Sequence, residues 1–381
     1  MKRTKFYIGV TCIGLLAVVA ASLVISDGPV SLAALAQRNA NNAIWGHYSA
    51  VEARTARAGS REYWVSCSTH EILFEAPTSY KQIIDRGEPL EFFSSSDCRY
   101  IAPLGSVPEL ISSNTQVRYG IYPQTVLEDS DGIYTTLNAL SPETNGYYLY
   151  NGDYYAKVIA NPKKNTYSFD NGVTIVSGAT YWFKCEPITW NVLSNSNGQY
   201  FMLSSFLLDA HCYYNSLANR TIDDQTIYPN NYKYSDIRTW LNADFYNSAF
   251  PIGNAYIQTT LVDNSASTTN SNTNAYVCDN TQDKVFLPSY QDYLNSDYGF
   301  STSTSSTSDR YCKTTDWTRA RNATYSTDSP SYYNSYYWTR SPAVTNYYAW
   351  TVGTTGFIYY NDRVNYTSFC VRPAINIAIS L

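Results

Sequence analysis

The sequence predicts an α+β fold, mostly antiparallel strands with two main helices, for residues 118–381. Three observations lead to this prediction. Short segments of alternating apolar and polar residues recur along the stretch, which is typical of half-buried strands. Asn-Gly dipeptides, which favour hairpin turns, begin at residues 145, 151, 171 and 197. One segment around Trp240 carries its apolar residues at helical spacing.

The first strands of this domain are predicted from Tyr119 onward. Tyr119–Thr125 opens the domain as a strand. Apolar residues alternate with polar ones over 188–192, Asn197-Gly198 turns the chain, and residues 200–203 return. The sequence therefore predicts a hairpin with one buried face. The tryptophans that we expect in the core are Trp190, Trp240 and Trp338.

Two helices follow in the prediction. Ser235 has the side chain of a helix N-cap, and an apolar stripe comes after it at Ile237, Trp240, Leu241 and Phe245. A second helix is predicted at 289–295, directly after Pro288. The Ser/Thr/Asn-rich stretches 264–274 and 301–308 have no apolar anchors and are predicted to be loops.

The C-terminal part is predicted to return to short strands. A strand through Trp350 leads to a turn at Gly353–Gly356 and a second strand at Phe357–Tyr360. Asn361-Asp362 is predicted to be the next turn. Residues 369–377 are predicted to close the chain as one apolar strand.

The N-terminus has the pattern of an export signal. A basic start, Lys2-Arg3 with Lys5, precedes an uncharged run from Phe6 to Ser26, and Ala34-Leu35-Ala36 is a small-x-small cleavage pattern. The run also has the length of about 20 residues that spans a bilayer, so an uncleaved anchor is the alternative. We therefore expect residues 1–36 to be a signal peptide or membrane anchor helix. The rest of the chain is expected outside the cytoplasm, secreted or anchored at the cell surface.

Between this leader and the large domain, the sequence predicts three segments. Residues 37–46 are a spacer, residues 47–105 a small β-rich, repeat-like unit, and residues 106–117 a linker. In the small unit His47, Cys67 and His70 are three potential zinc ligands, with Cys98 as the only cysteine left for the fourth position. Structural zinc sites are closed by four ligands, so we predict no metal and no cofactor.

The amino-acid composition disfavours nucleic acid as a partner and favours a ligand that is bound by tyrosine side chains. The charged fraction is 15%, against about 25% in a typical domain, whereas the chain has 38 tyrosines. The net charge is −5, and no basic stripe is present to neutralise phosphates, so nucleic acid is not an expected partner. Tyrosine provides rigid, amphipathic contact area and is favoured in binding surfaces.

The densest aromatic run lies in the last fifty residues. A core cannot bury so many tyrosine hydroxyls and asparagine amides without partners, so many of these side chains are expected to face solvent or a ligand. Rings of this kind stack on sugars, while Asn and Asp hydrogen-bond to hydroxyls; the same residues suit protein epitopes. The predicted ligand-binding residues are Tyr332, Tyr333, Asn334, Tyr336, Asn346, Tyr347, Tyr348, Trp350, Tyr359, Asn361, Asp362, Asn365 and Tyr366.

Residues 118–381 resemble a bacterial exported-protein domain family of unknown function, family 6273. Seven ordered segments carry this resemblance: YGIYPQT, NGYYLYNGDYYAKV, YWFKCEPITWNVL, SDIRTWLN, DKVFLPS, WTRSP and VRPAINI, which begin at residues 119, 145, 181, 235, 283, 338 and 371. The ending also resembles the C-type-lectin-like fold of formylglycine-generating enzymes and retroelement-diversified receptors. The resemblance implies that the Trp338–Pro342 and Arg372-Pro373 segments bracket a ligand-facing surface. Arg340 and Arg372 are predicted to support this framework rather than to touch ligand.

Residue patterns for catalysis are weak. His211 and Cys212 are adjacent, so on a strand they point to opposite faces and form no dyad. Asp129–Gly132 matches only the first half of a calcium loop and is predicted to be a turn. Formylglycine-generating activity relies on a cysteine pair near the end of the domain, but Cys370 has no neighbouring partner in sequence.

The sequence therefore predicts a non-enzymatic, exported recognition protein that binds an extracellular glycan or protein. Asn, Tyr, Ser and Asp codons differ by single bases, and their concentration in the aromatic run is typical of receptors diversified by a retroelement. Two alternatives stay open: a cell-surface enzyme of hydrolase or formylglycine-generating type, and a structural envelope or adhesion module. A membrane contact is expected only through an uncleaved N-terminal segment.

Overall fold

The computed structural model describes residues 105–379, except 113, 152, 252 and 253, together with the backbone of five short strands nearer the N-terminus. These strands are β1 (Leu23–Ile25), β2 (Gly28–Val30), β3 (Arg61–Val65), β4 (Ile72–Glu75) and β5 (Arg99–Ala102). Apart from β1 and β2, the predicted leader lies outside the described residues, and so do the potential zinc ligands His47, Cys67, His70 and Cys98. No helix within the described residues has both the length and the apolar character needed to cross a membrane.

The chain divides into two compact units, Met1–Val107 and Pro108–Leu381. The strands of the second unit are β6 (Glu109–Ile111), β7 (Gln116–Val126), β8 (Tyr148–Tyr150), β9 (Asp153–Ile159), β10 (Thr180–Ser196), β11 (Gln199–Ser204), β12 (Asp209–Ala210), β13 (Arg220–Ile222), β14 (Gln225–Ile227), β15 (Thr260–Val262), β16 (Thr281–Asp283), β17 (Val285–Phe286), β18 (Tyr337–Pro342), β19 (Tyr348–Val352), β20 (Ile358–Arg363), β21 (Cys370–Val371) and β22 (Ala374–Ala378). Its α-helices are α1 (Ile133–Asn138), α2 (Asp236–Trp240), α3 (Tyr246–Ala249) and α4 (Asp316–Ala320). Most strand pairs are antiparallel, and β18 with β21 is a parallel pair. The predicted α+β class with mostly antiparallel strands is thus confirmed for this unit, whereas its described residues form four short α-helices and not the two main helices that were predicted.

The larger sheet is built around one long hairpin. Its strands run in the order β17, β22, β11, β10, β7 and β6, and β9 with β8 also pairs along β10. The predicted hairpin is confirmed as β10–β11, and Asn197 and Gly198 have the positive φ values, 50° and 78°, that a two-residue turn requires. Trp190 is fully buried, and its indole Nε1 donates to the carbonyl oxygen of Tyr119 at 2.7 Å. Strand β6 pairs with β7 although it lies in the predicted linker.

Helix α2 begins at the predicted residue. The Ser235 hydroxyl accepts a hydrogen bond from the backbone N of Arg238 at 3.2 Å, which caps the helix. Three residues of the predicted apolar stripe are fully buried, and Trp240 is half-buried. A π-type turn at Leu241–Phe245 joins α2 to α3, so the helical segment extends past the predicted stripe.

The second predicted helix, 289–295, is wrong. Only a 3₁₀ turn at Asp292–Leu294 forms there. The backbone N of Ser289 donates to the Asp292 carboxylate at 2.7 Å, and the Asp292 N donates to the Ser289 hydroxyl at 3.0 Å. The same carboxylate accepts from Arg340 Nη1 at 2.9 Å. These side chains offer the backbone partners other than helical carbonyls, which holds the segment in a tight turn.

The smaller sheet has the order β12, β21, β18, β19 and β20. The predicted single strand over 369–377 is wrong, because β21 belongs to this sheet whereas β22 belongs to the larger one. The break falls at Arg372-Pro373, where proline has no N–H for a strand ladder. Arg372 is buried, and its Nε donates to the carbonyl oxygen of Ser204 at 3.0 Å. The end of the chain therefore connects the two sheets.

Strand β20 contains a bulge where a turn was predicted. Asn361 and Asp362 lie inside β20, so the predicted turn at these residues is wrong. Tyr359 pairs with Thr351 and Asp362 pairs with Ala349, so three steps along β20 match two along β19. Such a bulge inserts one residue and changes the side to which later side chains point. As a result Tyr359 and Asp362 face the same side of the sheet.

The loop over residues 301–308 is organised by Arg310, which is fully buried. Its guanidinium donates five hydrogen bonds of 2.7–3.1 Å to the backbone carbonyls of Tyr293, Ser301, Ser303, Ser305 and Gly356. The loop then follows the outer edge of β20, where the Ile358 N donates to the carbonyl oxygen of Thr304 at 3.0 Å. A covered edge strand is protected from further pairing, and β20 is held in place.

Candidate functional site

The predicted ligand-binding residues do not form one surface, and two of them are interior. Trp350 is 6% exposed; its ring packs on Tyr290 at 4.5 Å, and its Nε1 donates to the Thr273 hydroxyl at 3.1 Å. Asn334 is 2% exposed, and its amide donates to the carbonyl oxygen of Thr354 at 3.0 Å. Both side chains are engaged within the protein, so they support the fold and do not belong to an exposed binding surface.

A second group lies at the turn between β18 and β19. Asn346, Tyr347 and Tyr348 are half-buried there, and the two tyrosine rings are 4.7 Å apart. Buried Asn230 holds this turn, because its amide donates to the carbonyl oxygens of Thr345 and Tyr348 at 2.8 and 2.9 Å. Half-buried Asn365 follows Val364, whose N donates to the carbonyl oxygen of Tyr347.

Tyr332 and Tyr333 form a third group, in the loop before β18. Their ring centroids are 4.1 Å apart, and Tyr333 has a positive φ of 69°. The guanidinium of Arg319 lies 4.1 Å from the centroid of the Tyr333 ring. Arg319 is fully buried and forms ion pairs with Asp316 and Asp170. Because the cation is already paired and covered, this group offers the tyrosine rings and not the charge to a ligand.

Three of the remaining predicted residues, Tyr336, Tyr359 and Tyr366, meet Phe357 and Phe369 on one side of the smaller sheet, and we call these five rings the aromatic face. Predicted Asn361 is exposed in β20. Tyr336 lies 5.6 Å from Tyr359 and stacks on Phe369 at 4.9 Å, measured between ring centroids. Tyr366 packs on Phe369 at 5.2 Å, and Phe357 on Tyr359 at 4.7 Å. Phe369 is buried, Tyr366 is 40% exposed, and the other rings are half-buried. The rings therefore form a supported layer that solvent reaches from one side.

Gly353 lets two of these rings pack on the backbone. A Cβ at this position would lie 2.5 Å from Cε2 of Tyr359 and 3.3 Å from Cε1 of Tyr336. Tyr360, the next residue after Tyr359, points to the opposite side, where its ring packs on Trp350 at 5.8 Å. Neighbouring tyrosines of one strand thus lie on different faces.

Asp362 places a carboxylate beside the aromatic face. The Thr351 hydroxyl donates to this carboxylate. Burial raises the pKa of the Asp362 carboxyl, and the bond from Thr351 only partly offsets this. Burial also raises the pKa of Tyr336 to about 12, with further contributions from Tyr359 and from the charge of Asp362. No lysine or arginine of the described part of the chain forms an ion pair with Asp362.

We expect Asp362→Asn to leave the free energy of unfolding unchanged or to increase it at pH 7. Because the carboxyl pKa is raised in the folded state, its stabilising, protonated form is complete below the unfolded pKa of about 3.9 and is lost as pH rises through the folded pKa. The difference from the wild type should therefore shrink as pH falls toward 3. Urea unfolding at the two pH values measures this. A loss of more than about 1 kcal/mol at pH 7 would mean that the ionised carboxylate stabilises the fold.

The described cysteines, His211 and Asp129 lie in surroundings that do not activate them for catalysis or metal binding. Burial raises the pKa of all five described cysteine thiols, that of Cys312 to about 11, so they stay protonated at neutral pH. The His211 ring stacks on Trp240 at 5.1 Å, and its Nδ1 lies 2.6 Å from the carbonyl oxygen of Cys212. The Asp129 carboxylate accepts a hydrogen bond from the backbone N of Tyr134, in the first turn of α1, at 3.0 Å. In the described residues no three His, Cys, Asp or Glu side chains are grouped to hold a metal.

Sequence reasoning missed Phe357, Phe369 and Thr351 as parts of the site. The sequence predicts Phe369 in a terminal strand and Phe357 in the strand after the Gly353–Gly356 turn, and neither pattern indicates the face of the sheet to which the ring belongs. The bulge in β20 decides which residues share a face, and no sequence pattern marks it.

Comparison with known proteins supports the predicted domain family for part of the chain. Residues 197–379 match the model of a family described as a domain of unknown function, DUF6273. Four of the seven resembling segments lie inside this range, and the three that begin at residues 119, 145 and 181 lie before it. Neither curated proteins nor solved structures gave a match to this chain.

Proposed function

We propose that this chain is an exported surface-recognition protein whose C-terminal domain binds a glycan or protein ligand through the aromatic face. The observation that carries the proposal is the layer of half-exposed rings around Asp362, a carboxylate without an ion-pair partner in the described structure. Ligand-binding sites combine apolar and aromatic lining with a few placed polar groups, and this layer of rings beside a desolvated carboxylate has that composition. The N-terminal export pattern supports a location outside the cytoplasm, secreted or cell-surface anchored.

A C-type-lectin-like architecture is part of this proposal. Strand β18 carries the aromatic-Arg-Ser segment, and the Arg372-Pro373 segment connects the two sheets. Both segments border the aromatic face, because Tyr336 precedes β18 and Phe369 precedes β21. Diversification of the aromatic codons by a retroelement stays a prediction, which sequencing of this tract across one population would test.

The matched pair Tyr359→Leu and Tyr360→Leu tests the proposed face. Wild type and both variants are applied to arrays of glycans and of extracellular proteins, and hits are confirmed by calorimetric titration. We expect Tyr359→Leu to weaken binding of a confirmed ligand at least about tenfold, since stacked rings dominate such sites. Tyr360→Leu, one residue away on the opposite side of the sheet, should leave the affinity unchanged.

Two results would contradict the proposal. Equal losses in both variants would place the ligand elsewhere, and a wild-type protein without any saturable ligand would favour a structural envelope module. Turnover of an array component, lost when Asp362 or Cys370 is substituted, would favour the enzyme alternative.

A further inference from the structure

We infer that the aromatic face binds an alkylammonium group, and that the ligand is a protein presenting a lysine side chain rather than a neutral glycan. This inference rests on the proposed function and specifies the chemistry of the same site. It is based on the combination of tyrosine rings with the Asp362 carboxylate, which has the Thr351 hydroxyl as its side-chain partner.

The rings present the surface that a cation recognises. Aromatic faces attract ammonium groups within about 6 Å of the ring centroid, and the attraction is strongest where water is excluded. Tyr336 and Tyr359 are tilted by 47° at a centroid distance of 5.6 Å, and both are half-buried. Tyr366, which is 40% exposed and packs on Phe369, adds ring surface on which a ligand methylene chain can pack.

The charge of the site is complementary to an ammonium group. Arg363 follows Asp362 in β20 but forms no ion pair with it, since alternating side chains leave a strand on opposite sides. Burial raises the pKa of Tyr336 to about 12, so the phenol beside the carboxylate is neutral at pH 7 and supplies no counter-charge. An incoming cation would supply the counter-charge that a half-buried carboxylate lacks. The net charge of −5 further attracts a cationic partner.

A neutral sugar fits these observations less well. Hydroxyl groups can accept and donate hydrogen bonds around Asp362, but they leave its desolvated charge unpaired. A protein ligand also matches the three tyrosine groups on separate parts of the surface, because tyrosine suits protein epitopes.

The test measures the binding of small probe molecules to the intact chain. N-acetyl-lysine methylamide, its trimethylated form and the neutral N-acetyl-norleucine methylamide are titrated while tyrosine ring signals are followed by NMR. We expect both lysine probes to bind and the norleucine probe to bind at least about tenfold more weakly, because it lacks the charge. Binding of the lysine probes should weaken as salt increases.

Asp362→Asn should remove the preference for the lysine probes over the norleucine probe. Tyr359→Leu should lower the affinity for both lysine probes. Tyr360→Leu is the matched control and should bind like the wild type. Thermal unfolding of each variant shows whether it is folded. If Asp362→Asn does not fold, the inference is tested by the affinity of Tyr359→Leu for the lysine probes.

Equal binding of the lysine and norleucine probes, or equal loss in the Tyr360→Leu control, would overturn the inference. Tighter binding of glucosamine than of the lysine probes would also overturn the inference, because the ligand would then be an amino sugar and not a lysine side chain. A glycan that binds through Tyr359 without any ammonium preference would overturn this inference and leave the proposed function standing.

Discussion

Replacing Arg310 with leucine is expected to lower the free energy of unfolding by at least about 3 kcal/mol. The substitution removes five hydrogen bonds from a charged donor and leaves the carbonyl groups of Tyr293 and Gly356 without that partner. Part of this loss is recovered, because the carbonyls of the 301–308 loop can turn toward water. Urea unfolding of the variant measures the effect.

Arg310→Lys is the matched control. An ammonium group keeps the charge but has three donors instead of the five in a planar fork, so we expect an intermediate loss. Arg310→Leu should also expose the 301–308 loop to proteolysis and weaken ligand binding, because this loop covers the edge of β20. A change in stability below about 1 kcal/mol would contradict the account of the loop.

Asp209→Ala is expected to cost about 3 kcal/mol or more, because four donors converge on this buried carboxylate. The Tyr122 hydroxyl donates to it at 2.6 Å and Trp317 Nε1 at 3.2 Å. Arg321 Nε forms an ion pair at 2.9 Å, and the Ala210 N donates at 2.7 Å. Without the carboxylate, the phenol and indole groups lose a buried partner where the larger sheet meets α4.

Asp209→Asn separates the hydrogen bonds from the charge. The amide keeps one acceptor oxygen, and Arg321 is 36% exposed, so its charge remains partly solvated. We therefore expect a smaller loss than for Asp209→Ala, measured by the same urea unfolding. Equal losses in the two variants would mean that the charge, and not the number of acceptors, accounts for the stability of this network.

Local features of the fold could be predicted from the sequence. Asn197-Gly198 determines its hairpin because few dipeptides adopt two consecutive positive φ values, and Ser235 caps α2 because its hydroxyl is suited to the first helical turn. The framework positions of Arg340 and Arg372 were also predicted. Both are buried and donate to backbone carbonyl groups, those of Leu287 and Ser204.

Features that depend on tertiary partners could not be predicted. The 289–295 segment has a helical start, but Arg340 draws Asp292 into a tight turn. The apolar run after Phe369 has the pattern of one strand, although its two halves pair in different sheets. The pattern of apolar residues along a strand indicates which residues are buried, but it does not indicate the sheet to which the strand belongs.

The candidate site was predicted in composition but not in arrangement. Tyr336, Tyr359, Asp362 and Tyr366 were among the predicted residues, and they meet around the aromatic face. Trp350 shares the aromatic composition of the run but is buried on the opposite side of the sheet, against Tyr290. Only the pairing of β19 with β20 separates the two sides, and that pairing includes the bulge.

Ligand binding at the aromatic face can be observed by NMR of the protein with isotope-labelled tyrosine rings, titrated to saturation with a ligand from the binding screen. We expect the signals of Tyr336, Tyr359 and Tyr366 to shift together with one saturation curve, while that of Tyr360 stays unchanged. Shifts confined to Tyr360, or to Tyr332 and Tyr333, with the aromatic face unchanged, would contradict this expectation.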